Sequence, residues 1–183
     1  MKRFFLFPVT LAAIGFCGVV SAQGYVGGQV GASRSDYDCN KLGDSCDKSD
    51  TAFKLYGGYK LTPEWALEVA YSDLGKTKVT EGTDSFDVEH TSFGFGGAYH
   101  LAFNTDWNGV GRFGIARNKA KAPGTSTSKT EPYLGLGVGY VLSKELTLIG
   151  SWDWTRFEIK DPDSGATEKS KANSFSVGLN YAF

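Results

Sequence analysis

Residues 174–183 read SFSVGLNYAF, in which Phe175, Val177, Leu179, Tyr181 and Phe183 alternate without a break against Ser174, Ser176, Gly178, Asn180 and Ala182. A period of two over that length specifies a β-strand with one apolar face and one small or polar face. The chain stops on the aromatic Phe183. Such a strand suits a barrel whose outside meets lipid and whose lumen is polar, with Leu179, Tyr181 and Phe183 as its C-terminal signature.

At the other end, Lys2 and Arg3 precede an apolar run from Phe4 to Val20, and Val20-Ser21-Ala22 supplies small residues before a cleavage point. This predicts a secretory signal peptide over residues 1–22 and a mature domain over 23–183. Pro8 and the small residues before Gln23 speak against a retained anchor, and Phe16 occupies the position before Cys17 where lipidation needs a small residue. Subtracting 22 from 183 leaves 161 residues, enough for one domain. Removing Lys2 and Arg3 from the 19 basic residues leaves 17 against 20 acidic ones, a net charge of −3. No basic stripe suggests a nucleic-acid partner. After Ala22 no apolar segment approaches the ~18 residues of a spanning helix. The 24 glycines and 14% aromatic residues instead fit many strands joined by turns, with rings for a membrane interface.

Cys39 and Cys46 flank the polar hexapeptide NKLGDS in an exported, oxidising setting, and a disulfide between them is expected. Closing so short a loop contributes about 2–3 kcal/mol on the chain-entropy account. Two thiols alone lack the ligand count of a zinc centre, so no metal is assigned.

Forward from Gln23 the alternation recurs. Val26, Val30 and Ala32 oppose Tyr25, Gly27, Gln29, Gly31 and Ser33; Phe53, Leu55, Tyr59 and Leu61 oppose Ala52, Lys54, Tyr56, Gly58 and Lys60. Across a turn at Thr62-Pro63-Glu64, Trp65, Leu67, Val69 and Tyr71 oppose Ala66, Glu68, Ala70 and Ser72. Phe93, Phe95, Tyr99 and Leu101 oppose Ser92, Gly94, Gly96, Ala98 and His100. After a turn near Asn104 to Asp106, a weaker fifth strand sets Trp107, Phe113 and Ile115 against Asn108, Val110, Arg112 and Gly114. Leu134, Leu136, Val138, Tyr140 and Leu142 then oppose Tyr133, Gly135, Gly137 and Gly139. Beyond Ser143-Lys144, Leu146, Leu148, Trp152 and Trp154 oppose Thr147, Ile149, Ser151 and Asp153. With the terminal strand this predicts eight.

Alternate connections read as long polar loops: Ser35 to Asp50, Gly75 to Phe86, Asn118 to Thr130 and Lys160 to Ser170. Short turns on one side and long loops on the other are the asymmetry of an outer-membrane barrel. A soluble sandwich would also alternate, but faces this rich in Gly, Ala, Ser and Asn cannot fill a dense dry core. The opposite faces are nearly free of charge, and a charge at the bilayer midplane costs roughly 2–4 kcal/mol.

KLYGGYKLTPEWALEVAYSDLG, from Lys54 to Gly75, resembles the second and third strands of the transmembrane domain of outer membrane protein A, without a gap through the turn. YVGGQVGAS, EPYLGLGVGY, SWDWT and SFSVGLNYAF are similar to its first, sixth, seventh and eighth strands. The resemblance implies an all-β, eight-stranded antiparallel up-and-down transmembrane β-barrel in the bacterial outer membrane. The periplasmic peptidoglycan-binding role of many relatives is not carried over, because the chain ends at Phe183. The family's lumen holds an ion-pair network, to which Glu68 and Arg112 correspond as inward glutamate and arginine. Gln29 and Ala98 stand where the family has lysines, Gly139 where it has a glutamate and Ile149 where it has an arginine, so the implied network is thinner.

Glu68 and Arg112 lie on inward faces and are expected to pair, either as structural filler or as an ion gate, since a lone buried charge is costly. In the first loop Asp36, Asp38 and Asn40 alternate as calcium ligands do, but Lys41 occupies the glycine position of such loops and no spaced glutamate follows. His90, among Glu89, Thr91 and Ser92, is the one residue from which a Ser–His arrangement could be imagined, with no oxyanion hole marked; His100 reads as a polar lumen residue. The expectation is therefore a non-enzymatic integral outer-membrane protein without a cofactor, structural or adhesive through its loops, with a narrow channel for small solutes or ions as the alternative. Implied partners are outer-membrane lipid and lipopolysaccharide, periplasmic chaperones and the barrel-assembly machinery, and a host or cell-surface ligand.

Overall fold

Each period-two run forms a strand in the computed structural model, which describes residues 24–35, 45–47, 49–81, 84–122, 125–160 and 167–183. The strands are β1 (Gly24–Ser35), β2 (Ser45–Asp47), β3 (Ser49–Lys60), β4 (Trp65–Glu81), β5 (Asp84–Ala102), β6 (Trp107–Ala122), β7 (Thr125–Val141), β8 (Leu146–Lys160) and β9 (Thr167–Ala182). From β3 to β9 each pairs antiparallel with the next, and β1 joins β3 to β9, from Tyr25 opposite Ala182 to Ser35 opposite Ala172. Eight strands thus close into an up-and-down barrel, as the sequence predicts. The ninth, β2, is a three-residue addition on the edge of β4, with Cys46 opposite Val79.

The two faces invert the usual arrangement of a soluble protein. Val30, Leu67, Phe95, Phe113, Leu136 and Phe175 are exposed on the outside, whereas Gln29, Lys54, Glu68 and Arg112 are buried inside. Single exposed apolar residues are ordinary, but a continuous apolar belt around the whole molecule requires hydrocarbon to cover it. Aromatic rings mark its lower margin: Trp65 lies against Tyr99 at 4.7 Å, Trp107 against Tyr140 at 5.1 Å and Tyr181 against Phe183 at 6.5 Å between centroids.

The three short turns share one chemistry. Leu61, Phe103 and Leu142 donate their backbone N–H to the carbonyls of Trp65, Trp107 and Leu146 at 2.7, 3.0 and 2.9 Å. The side-chain oxygens of Thr62, Asn104 and Ser143 accept from the N–H groups two and three residues on, at 2.8–3.3 Å. Residues of this kind cap turns because their short polar side chains satisfy backbone donors locally.

At the other end two of the four expected loops are mainly strand, and a third is strand as far as it is described. β4 and β5 stay paired out to Glu81 opposite Asp84, β6 and β7 to Ala122 opposite Thr125, and β8 and β9 to Lys160 opposite Thr167. Gly75 to Phe86 and Asn118 to Thr130 are thus largely paired strand rather than loop, while of Lys160 to Ser170 the residues 161–166 lie outside the described ones. In these hairpins the alternation of apolar and polar residues that betrays a strand fades from the sequence while the ladder continues. A bulge between Asp73 and Lys76 interrupts β4. There Gly75 adopts a φ of 78°, its N–H bonded to Asp73 Oδ1 at 3.0 Å, and Asp50 Oδ2 accepts from the Lys76 N–H at 2.6 Å.

Close strand approach limits side-chain size at the seam, where a Cβ on Gly178 would run into the carbonyl oxygen of Gly28. Gly178→Ala is expected to lower stability by about 1–3 kcal/mol as β1 and β9 are forced apart, measured by urea unfolding of the protein folded into phospholipid vesicles.

Candidate functional site

The lumen is where this chain concentrates its buried chemistry. Glu68 on β4 and Arg112 on β6 point inward by strand parity, and β5 between them places the small residues Gly96 and Ala98 in the intervening inward positions. Arg112 Nε donates to Glu68 Oε1 at 2.8 Å and to Oε2 at 3.1 Å, and the two side chains are 1% and 0% exposed. Tyr25 donates its hydroxyl to Glu68 Oε2 at 3.1 Å, and Arg112 Nη1 donates to Ser151 Oγ at 3.3 Å. Gln29 closes the layer, donating to Ser151 Oγ at 2.9 Å and accepting from Ser176 Oγ at 3.2 Å. Five strands thus share one hydrogen-bonded plug, which is the condition under which a buried ion pair offsets its desolvation.

A second ion pair lies toward the long-hairpin end. Lys54 Nζ on β3 reaches Asp153 Oδ1 on β8 at 2.7 Å across the lumen. The Tyr56 ring separates the two layers, with the Arg112 guanidinium 4.8 Å and the Lys54 ammonium 5.7 Å from its centroid, both within cation–π reach. Alternation in the sequence places Lys54 and Asp153 on inward faces, and their opposite charge about halfway up each strand is the one hint of a pair, but it does not say that β3 and β8 face each other. Higher still, Ser92 donates to Asn118 Oδ1 at 2.6 Å, and Asn118 Nδ2 donates to Thr155 Oγ1 at 2.8 Å and to the Arg156 carbonyl at 2.6 Å. Between these layers is a cavity of about 40 Å³ lined by Lys54, Ser72, Ser92, Tyr133, Asp153 and Thr155, room for roughly three waters.

His90 is buried on the inner face of β5 above Ser92, whose hydroxyl is directed to Asn118. His100 Nε2 lies 3.4 Å from the Tyr25 hydroxyl, at the short-turn end of the lumen. Leu179, Tyr181 and Phe183 face outward, and the Phe183 N–H bonds to the Gly24 carbonyl at 3.0 Å. Asp36, Asp38, Asn40 and Cys39, the partner expected for Cys46, lie outside the described residues, as does the segment 1–22.

Removing one member of the central pair strands the other in a dry site. Arg112→Met is expected to cost about 3–5 kcal/mol, and Arg112→Met combined with Glu68→Met much less. Unfolding in vesicles of the two single variants and the double variant measures the difference.

The profile of the family described as "Outer membrane protein beta-barrel domain" matches residues 9–183. Among solved structures, Neisserial surface protein A is similar at 16% identity, covering 89% of this chain and 98% of its own, with a TM-score of 0.63. The attachment invasion locus protein Ail of Yersinia pestis is similar at 20% identity over 88% of this chain and 99% of its own, with a TM-score of 0.53. OprG, an outer membrane protein of Pseudomonas aeruginosa, is similar at 15% identity over 88% and 96%, also with a TM-score of 0.53. At these identities the likeness is one of fold. A comparison with curated protein sequences gives no match.

Proposed function

Because this chain belongs to the outer membrane β-barrel domain family, we propose that it is a sealed, non-enzymatic anchor that presents its long-hairpin end outside the cell for recognition or adhesion. The observation that carries this is the plugged lumen. Glu68, Arg112, Tyr25, Gln29 and Ser151 are bonded to one another across the barrel, so the interior is occupied by structure where a porin holds water. The hairpins, in contrast, project beyond the lipid belt as paired polar strands, a rigid support for a binding surface. Ail, which shares the fold, is an attachment protein solved with the heparin analogue sucrose octasulfate, and a host polyanion is accordingly the first ligand class to test here.

The same reading assigns residues 1–22 to export and removal, and Leu179, Tyr181 and Phe183 to recognition by periplasmic chaperones and the barrel-assembly machinery. It assigns Cys39 and Cys46 to a disulfide bracing the first loop, and the outer belt to lipid and lipopolysaccharide. A narrow channel is the second reading, favoured by the cavity beside Lys54 and Asp153.

Two measurements separate the readings. Replacing residues 77–88 and 119–129 by short turns is expected to abolish attachment to cells or to an immobilised sulfated glycan while heat-modifiable gel mobility still reports a folded barrel. Planar-bilayer recordings of the wild type and of Glu68→Gln are expected to be equally silent; solute flux that survives the hairpin trimming and changes with Glu68→Gln would establish the channel instead.

A further inference from the structure

The outward face of the barrel changes from apolar to polar at one height, and on one side of it the charged residues there are all basic among those described. On β6 the outward row runs Trp107, Gly109, Gly111, Phe113, Ile115 and then Arg117 and Lys119. A strand rises about 3.3 Å per residue, or roughly 2.5 Å along the membrane normal when tilted by about 40°. Arg117 therefore lies about 25 Å above Trp107, at the far margin of the apolar band. Counting from the short turns, Arg156 on β8, Lys171 on β9 and Arg34 on β1 reach the same margin, and all five are exposed. Over β3 to β5 the described outward residues at that height are Thr51, Asp73, Thr91 and a Lys76–Glu89 ion pair closed at 3.1 Å. Among the described residues, a chain of net acidic charge thus gathers a basic arc over β6, β8, β9 and β1.

The arc is not self-neutralised. Among the described residues none of Arg34, Arg117, Lys119, Arg156 and Lys171 has a carboxylate within salt-bridge distance. Arg117 Nη2 donates to Ser128 Oγ at 3.2 Å, and the Arg156 guanidinium lies over the Trp154 ring at 5.0 Å, which holds it at the edge of the aromatic belt. Arg156 and Lys171 stand directly opposite each other in the β8–β9 ladder. Like charges so placed are destabilising, and an anion bound between them would remove the penalty. The arc also spans a fork: β7 and β8 are paired only as far as Tyr133 opposite Thr155, so the β6–β7 and β8–β9 hairpins separate directly above it.

We propose that Arg117, Lys119, Arg156 and Lys171, extended by Arg34, form a phosphate-binding arc for a phosphorylated glycolipid of the outer leaflet, whose acyl chains lie on the apolar rows beneath. A soluble anion has no reason to be met at the hydrocarbon margin, whereas a lipid headgroup is confined to that height. The proposal rests on the reading that the long-hairpin end faces outward.

The test uses the full mature chain folded into phosphatidylcholine vesicles with and without bis-phosphorylated lipid A, scored by the lipid A retained by the barrel after detergent extraction. The combined variant Arg117→Gln, Lys119→Gln, Arg156→Gln, Lys171→Gln is expected to retain at least about tenfold less lipid A than the wild type, with unchanged folding in phosphatidylcholine alone. Lys76→Gln, on the opposite side, is expected to change nothing. Dephosphorylated lipid A is expected to be retained by neither protein, and high salt to weaken retention of the phosphorylated form. Should the combined variant not fold, Arg156→Gln with Lys171→Gln and the wild-type contrast between phosphorylated and dephosphorylated lipid A decide the matter. Equal retention by wild type and variant, displacement by inorganic phosphate alone, or equal preference for a soluble sulfated glycan would each overturn the proposal. The readout is lipid retention, so a failure of the adhesive role leaves it intact.

Discussion

Hydrocarbon offers no partner to a backbone N–H or C=O, and that constraint governs every other feature of this protein. The 11 ladder positions from Tyr25–Ala182 to Ser35–Ala172 join β1 to β9, so that no sheet edge is left within the apolar band. An open sheet of the same strands would expose a row of unpaired groups along both edges, each costing several kcal/mol in lipid. Closure with eight strands then determines the lumen, which is just wide enough for side chains to fill. The contents of the lumen follow in turn. Small residues allow the larger Tyr25, Tyr56, Gln29, Glu68 and Arg112 to cross it and bond to strands on the far side.

Burying charge inside a membrane protein is hazardous, and in the central layer the hazard is limited by giving Glu68 and Arg112 more than one partner each. Glu68 accepts from both Arg112 and Tyr25, while Arg112 reaches Ser151, itself held by Gln29. Because the network joins β1, β4, β6, β8 and β9, it acts as cross-bracing between strands far apart in the chain. Structural bracing and permeation control draw on the same residues, and the density of bonding favours bracing.

The fold was legible because lipid and lumen make opposite demands on alternate residues. SFSVGLNYAF and WALEVAY carry that contrast in every pair of positions. The fifth predicted strand, β6, was harder to read because Gly109 and Gly111 interrupt its outward apolar row. The upper hairpins read as loops for a physical reason: Lys76 to Glu81 and Thr125 to Thr130 carry almost no apolar side chains to alternate, and propensity alone does not distinguish a polar ladder from a coil. Inward positions such as Glu68 and Arg112 follow from parity, since one strand lies between theirs. The Lys54–Asp153 contact depends on which strands face each other across the closed barrel and at what height, and local patterning does not encode that shear. The basic arc likewise appears only after strands distant in sequence are aligned from their short turns.

The central claim is that hydrocarbon covers the outside of the barrel and polar side chains fill its interior. All four tryptophans, Trp65, Trp107, Trp152 and Trp154, lie on outward faces. Their fluorescence in vesicles of lipids brominated along the acyl chain is the most direct measurement. Strong quenching by the brominated chains, with little by aqueous acrylamide, is the expected result. Emission quenched by acrylamide and indifferent to brominated lipid would mean that the outside is wet, and would contradict the account.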